Sequence, residues 1–207
     1  MPVIFFRKKG DDTSFCIWKI TETEEQLWQG LRLSDQDKNE IQLLKLPKRR
    51  LERLACRKGL SFLLESPEVP VSYGNYGEPL LDSGKKFHIS FSHSGEYAAA
   101  ALSRKGKIGI DIERITPRIL ELHPRFIRPD EARTANSNNP EEVTFFWCAK
   151  EAIYKLFPEY KADFLNDIFI EEYKEKGCIS QKNSLRATAN LENRIWENLL
   201  MVVATVF

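Results

Sequence analysis

Ile108-Gly109-Ile110-Asp111-Ile112-Glu113 alternates isoleucine with a second residue type at every step. Strand side chains alternate faces, so Asp111 and Glu113 leave this strand on one side while the isoleucines enter a core on the other. Gly109, on the carboxylate side, is read as leaving room for a ligand. Some way further on lies Trp147-Cys148-Ala149-Lys150-Glu151-Ala152-Ile153-Tyr154-Lys155. Around it Val143, Phe146, Trp147, Tyr154 and Phe157 recur at three- and four-residue spacing behind Pro140-Glu141-Glu142, which predicts a helix. Glu151 and Lys155 fall at the edge of its apolar arc. Lys150 falls near the middle, where an ammonium either finds an anion or snorkels to water. Acids converging from a strand and a helix repel unless a cation sits between them. The all-oxygen set Asp111, Glu113 and Glu151 suits magnesium or calcium better than zinc. Singly, either motif is also what a solvated strand end or a surface charge ladder produces; their joint occurrence carries the reading.

Working outward, Val3 to Phe6 and Phe15 to Ile20 predict a strand pair joined across Gly10-Asp11-Asp12. Helical segments follow from about Thr23 to Leu31 and Asp35 to Leu46. Pro47 opens a further helix to about Glu65, with Leu51, Leu54, Ala55, Phe62 and Leu63 on one face and Arg49, Arg53 and Arg57 as a stripe, a solvated surface by default. Beyond the Pro/Gly-rich stretch Pro67 to Gly84 come strands at Phe87 to Ser92 and Tyr97 to Leu102. The second half repeats the theme, with the Glu151 helix and strands near Ile168 to Tyr173, Leu185 to Leu191 and Leu199 to Val206. Each half offers one long helix and about three strands. Segregated strands and helices favour an α+β class over a doubly wound parallel sheet, with subdomains over 1–103 and 104–207.

With 207 residues, 42% of them hydrophobic, the chain has ample material for a packed core, and a formal net charge of +1 argues against coating a nucleic acid. Basic residues concentrate locally: Lys45, Lys48, Arg49, Arg50, Arg53, Arg57 and Lys58 oppose only Glu52, which suits a small phosphorylated ligand. The cysteines, Cys16, Cys56, Cys148 and Cys178, form no metal-type pair and read as reduced thiols. Neither the start nor the late run Leu199 to Phe207 is long enough for a signal peptide or a bilayer span, so the reading is a soluble, cytoplasmic protein without a membrane partner.

Gly109-Ile110-Asp111-Ile112-Glu113 followed about forty residues later by Trp147-Cys148-Ala149-Lys150-Glu151-Ala152-Ile153-Tyr154-Lys155 resembles the signature of Sfp-type 4′-phosphopantetheinyl transferases. Ile89-Ser90-Phe91-Ser92-His93-Ser94-Gly95 is similar to the family's Ile-Ser-His-Ser element, and Leu54-Ala55-Cys56-Arg57 to the helix whose arginine holds the 3′-phosphate of coenzyme A. The resemblance runs from about Arg49 to Lys155. It departs at Tyr76-Gly77-Glu78-Pro79, where many relatives carry lysine in place of Glu78, and Lys85 or Lys86 is the nearest compensating cation.

The resemblance implies two similar α+β halves with the active site in the cleft between them, in a monomer of the double-domain subtype. The implied reaction moves the phosphopantetheine arm of coenzyme A to a serine of an apo acyl or peptidyl carrier protein, releasing adenosine 3′,5′-bisphosphate. In it Asp111, Glu113 and Glu151 hold magnesium, Glu151 or a water beside it acts as base with Lys155 assisting, and Arg57, Ser92, His93 and Lys155 bind coenzyme A. The alternatives are a non-catalytic protein of the same fold that only holds coenzyme A or a carrier, and metal-dependent phosphoester hydrolysis with water as acceptor.

Overall fold

The hairpin expected near the start forms. Strands β1 (Val3–Lys9) and β2 (Thr13–Lys19) pair antiparallel, and Gly10 turns the chain at φ +59°. The computed structural model describes residues 2–10, 12–82, 84, 87–133, 136–181 and 185–206. Asp11 of that turn, and Lys85 and Lys86, lie outside the described residues. The chain divides into two compact units, Met1–Gly106 and Lys107–Phe207.

In the first unit, helix α1 (Glu24–Trp28) is shorter than the periodicity predicts. A reciprocal capping box between Thr23 and Gln26 starts it, and Gly30, at φ +75°, turns the chain just after its end. Strand β3 (Arg32–Leu33) precedes α2 (Asp35–Gln42), capped by Ser34. Pro47 then opens α3 (Pro47–Leu64), as the sequence predicts. The Pro/Gly-rich stretch beyond it contains three short strands that hydrophobic alternation does not reveal: β4 (Glu68–Val69), β5 (Val71–Tyr73) and β6 (Pro79–Leu81). Strands β7 (His88–Ser94) and β8 (Tyr97–Ser103) complete a six-stranded sheet in the order β1-β2-β8-β7-β6-β5. The alanine run of β8, Ala98 to Ala101, is wholly buried, and α3 lies close on it: a Cβ on Gly59 would stand 3.1 Å from Ala100 Cβ. Small residues on both partners bring helix and sheet together, which outweighs the low strand propensity of alanine.

In the second unit, β9 (Lys107–Arg114) leads through short 3₁₀ turns to α4 (Pro140–Tyr154), then β10 (Ile168–Glu172), β11 (Lys176–Gln181), β12 (Leu185–Trp196) and β13 (Leu199–Val206). They form a five-stranded sheet in the order β10-β11-β12-β13-β9. Strand β11 was not expected, because Lys176-Gly177-Cys178 shows no alternation. A Cβ on its Gly177 would fall 2.5 Å from Ile153 Cδ1 and 3.0 Å from the Phe169 carbonyl oxygen, so a larger residue there would make the Ile153 side chain shift. Each unit thus has its one long helix, as predicted, but a larger sheet than the three strands expected. Mixed sheets and helices are the observed class, and among the described residues no helix is long and apolar enough to cross a membrane. All four cysteines are buried free thiols.

Candidate functional site

Helix α4 packs on β9 and β13, and this contact sets the acidic residues. In the antiparallel register, Gly109, Asp111 and Glu113 face Ala204, Val202 and Leu200, which belong to the core that α4 covers. The carboxylate side of β9 is therefore the helix side. Ile108, Ile110 and Ile112 lie on the other face, also buried, so the expectation that only the isoleucine side is core is corrected. Gly109 does not leave room for a ligand either. A Cβ there would meet the Ala152 carbonyl oxygen at 2.0 Å and Lys155 Cβ at 3.3 Å, so its missing side chain makes room for helix backbone. Gly109→Ala must push α4, with Glu151 and Lys155, off the strand. Thermal unfolding should show a loss of about 2–4 kcal/mol; a variant as stable as the parent would mean that α4 does not rest on β9.

Lys155 is the C-cap residue of α4, and its Nζ donates to Asp111 Oδ1 at 2.8 Å and to the Ile110 carbonyl at 2.9 Å. Asp111 is almost completely buried. Burial raises the Glu151 carboxyl from its usual range to about 7; the charge of Asp111 adds to the rise, Lys155 opposes it, and Glu113 adds further. Cys148, one turn before Glu151, has its thiol held well above the usual range by burial and by the charges of Asp111 and Glu113, and it hydrogen-bonds to Asp111. Asp111, Glu113, Glu151 and Lys155 are therefore electrostatic neighbours. Three carboxylates with no nitrogen donor fit a hard divalent cation such as magnesium. Among the described residues, no three His, Cys, Asp or Glu side chains gather closely enough to hold a metal ion. The cation beside Asp111 is Lys155.

Lys150 resolves the two possibilities left by its place on the helix. It is fully buried and has found an anion, donating to Glu131 Oε2 at 2.7 Å and to the carbonyls of Phe164 and Ile168 at 3.0 and 2.8 Å. Glu131 also accepts from the backbone N–H groups of Arg128 and Ile170. This buried pair fastens α4 to β10. No local pattern in the sequence pointed to Glu131, nineteen residues earlier.

The basic cluster lies in the first unit, where α3 runs beside β7. Phe91 and His93 share the helix-facing side of β7, and the arginine stripe follows it from buried to exposed. Arg57 is at the buried end. Its Nε and Nη2 donate to Asp37 at 2.7 and 2.8 Å, Nη2 also reaches Tyr73 Oη, and the guanidinium stands 4.7 Å from the Phe91 ring centre. Nε and Nη2 are thereby engaged within the unit, while the buried Nη1 has no hydrogen-bond partner among the described residues. Arg53 also reaches Tyr73 Oη.

Arg49 lies at the open end of the stripe, with its side chain 54% exposed. Its Nη1 lies 3.3 Å from His93 Nε2 and 2.9 Å from Glu52 Oε2, while Lys48 Nζ lies 3.9 Å from Glu52 Oε1. A guanidinium can only donate, so Nε2 is the acceptor in this contact, and His93 Nδ1 lies 3.5 Å from Glu52 Oε2. Buried Glu52 thus orients a cation and an imidazole at the solvent edge. Glu52 was visible in sequence as the lone acid in the basic run; its role as an orienting group was missed. Ser92 is buried and points to the face opposite His93, with its carbonyl accepting from Cys56 Sγ, so the two residues do not converge on one point of the helix-facing side.

Glu78, the residue that departs from the family pattern, closes its own loop. Its Oε2 accepts from Tyr76 N–H at 2.9 Å and its carbonyl from Gly74 N–H. A Cβ on Gly74 would fall 2.1 Å from Glu78 Oε1, so Gly74 admits this contact.

Comparison with known proteins bears on the acidic cluster. Residues 107–194, which contain β9 and α4, match the family model described as the 4′-phosphopantetheinyl transferase superfamily. The chain is similar to 4′-phosphopantetheinyl transferase AcpT of Salmonella typhimurium, 36% identical over 52% of this chain and 58% of the relative. It is also similar to a 4′-phosphopantetheinyl transferase of Bacillus subtilis, 32% identical over 41% of this chain and 40% of the relative. The 4′-phosphopantetheinyl transferase Sfp of Bacillus subtilis strain 168 is 30% identical over 45% of this chain and 43% of the relative. Across these three the chain spans about half of the relatives' length, and AcpT and Sfp relatives are matched alike.

Proposed function

We propose that this chain is a 4′-phosphopantetheinyl transferase that moves the phosphopantetheine arm of coenzyme A to a serine hydroxyl of an apo carrier protein. The observation that carries the reading is the joint placement of Asp111, Glu151 and Lys155, from the two signature motifs, in one electrostatically coupled cluster. The superfamily match over the same residues supports it. The cleft between two halves, the double-domain Sfp type, the monomeric state and the cytoplasmic setting follow from the resemblance and belong to the same proposal.

In this reading the carrier serine oxygen forms a bond to the phosphorus of the phosphopantetheine group. The bond from that phosphorus to the bridging oxygen breaks, and adenosine 3′,5′-bisphosphate leaves with the electron pair. Glu151, whose carboxyl burial raises to about 7, accepts the serine proton. Lys155 brings positive charge to the oxygens that become more negative. Asp111, Glu113 and Glu151 would hold magnesium, which supplies further neutralisation of the diphosphate and fixes it for in-line displacement.

His93 and Arg49 hold the nucleotide phosphates, with Lys48 beside them. Arg49→Ala and His93→Ala should raise the KM for coenzyme A about tenfold with kcat little changed, and raise it less for dephospho-coenzyme A. Equal effects on both substrates would remove these residues from the 3′-phosphate. The activity itself is tested by intact-mass analysis of several apo carrier proteins after incubation with coenzyme A, magnesium and this protein. A mass gain of one phosphopantetheine arm is expected; an unmodified carrier together with steady nucleotide release would mean hydrolysis instead.

A further inference from the structure

The loop that joins α2 to α3 departs from the way the other α-helices of this chain begin. Helices α1, α2 and α4 start with side-chain caps from Thr23, Ser34 and Asn139, and each has acids in its first turn. Helix α3 has neither. Leu46 stands at its N-cap and makes no side-chain hydrogen bond, and the first turn carries Lys48, Arg49 and Arg50 in place of an acid. Leu43, the C-cap residue of α2, and Leu46 are 79% and 64% exposed, the highest of the large hydrophobic side chains described. The loop that carries them is fixed. Arg50 Nε donates to both Glu24 carboxylate oxygens at 2.8 and 2.9 Å, and its Nη1 to the Leu44 carbonyl at 2.8 Å. Two leucines are thus held out to water at helix-end positions where they neither cap nor bury, a local cost that a contact surface explains.

The charge around them has one sign in excess. Lys45, between the two leucines, is exposed and has no acidic partner among the described residues. Lys48 and Arg49 share one carboxylate, that of buried Glu52. Glu24 is taken by Arg50, and Glu40, the last acid of α2, accepts from Gln36 Nε2. Resting on the reading of the chain as a transferase with a protein acceptor, we propose that Leu43, Lys45 and Leu46 form a docking point for the apo carrier protein, which meets it with an acidic patch around an apolar side chain. The leucines supply the desolvated contact and Lys45 selects the sign of the partner. Two leucines and a lysine are too small a surface to hold a protein on a bilayer by themselves, but they suffice as part of an interface with an acceptor that must leave once modified. Lys48 and Arg49, next along α3, stay with the phosphates, so this helix end brings acceptor and donor to one edge of the first unit.

The test compares the parent with Leu46→Ser, the double variant Leu43→Ser with Leu46→Ser, Lys45→Glu and, as a control, Ile4→Ser, whose side chain on β1 is 42% exposed. The acceptor is the apo carrier protein that the parent modifies fastest, with rates read by intact mass. The double variant should raise the KM for the carrier about tenfold, with kcat and the KM for coenzyme A within about twofold of the parent. Lys45→Glu should raise the carrier KM about fivefold at low salt and less as salt is added. Leu46→Ser supplies the missing cap, so it should melt at or above the parent temperature while its carrier KM rises, which separates docking from folding. Ile4→Ser should keep parental constants. A parental carrier KM in the double variant or in Lys45→Glu, a parallel rise in the KM for coenzyme A, or an equal loss in Ile4→Ser would each overturn the docking and leave the transferase reading standing. Co-sedimentation of the parent with phosphatidylglycerol vesicles, or a dimer of the parent, that the double variant abolishes while its carrier KM stays parental would overturn it in favour of a lipid surface or a second copy. A parent that modifies no apo carrier would overturn the transferase reading itself, and the docking with it.

Discussion

Glu151→Gln should lower turnover by ~10²–10⁴-fold while making the metal-free protein more stable at pH 8. The two effects have one cause. Burial, with the charges of Asp111 and Glu113 and against that of Lys155, raises the Glu151 carboxyl to about 7 from its usual 4.5. Between those values the native state keeps a proton that the unfolded chain releases. The contribution to stability is therefore fully present below about pH 4.5, falls as pH rises, and is gone above about 7, a loss of about 3 kcal/mol. Glutamine carries no charge and avoids this loss, so the melting temperature at pH 8 without metal should exceed that of the parent by roughly 4–10 °C. Added magnesium should narrow the difference by stabilising the parent. The same carboxyl must be ionised to take a proton from serine, which glutamine cannot do. A variant with parent-like melting at pH 8 would show that Glu151 is solvated and not coupled to Asp111; a variant with parent-like turnover would remove it as the base.

The residues behind that prediction were legible in sequence because each depends on a short repeat. Alternation in β9 placed Asp111 and Glu113 on one face, helical spacing placed Glu151 and Lys155 one turn apart, and a matching signature joined the two segments. Which face of β9 the helix would cover was not legible. The isoleucine face is the apolar one, yet the helix covers the face with Asp111 and Glu113, where the missing Cβ of Gly109 admits the Ala152 carbonyl. Lys150 shows the same limit. Its position in the apolar arc predicted a buried anion or an escape to water, but the anion, Glu131, comes from a 3₁₀ turn with no periodic pattern. Strand β11 was hidden because Lys176-Gly177-Cys178 shows no alternation, and pairing with β10 and β12 on either side makes it a strand. In the basic cluster, spacing gave the arginine stripe correctly; the side chain that meets water was decided by the path of α3 along β7.

Asp37→Ala should destabilise the first unit by ~3–5 kcal/mol, the cost of leaving a buried guanidinium without its carboxylate. Arg57 and Asp37 are both wholly inaccessible to water in their side chains, and the contact is a two-point one at 2.7 and 2.8 Å. The nearby Asp37 and Tyr73 oxygens hold the guanidinium firmly protonated in spite of burial, so it cannot escape the cost by losing its proton. Chemical denaturation should show the loss in Asp37→Ala, and the double variant Asp37→Leu with Arg57→Met should recover most of it by replacing both charges with apolar groups of similar bulk. The same pair separates fold from ligand binding. In the double variant, the KM values for coenzyme A and dephospho-coenzyme A should stay in their parental ratio if, as proposed, the arginine that meets phosphate is Arg49, two helical turns toward the open end of the stripe. A double variant that folds normally but loses its preference for coenzyme A would return the 3′-phosphate to Arg57.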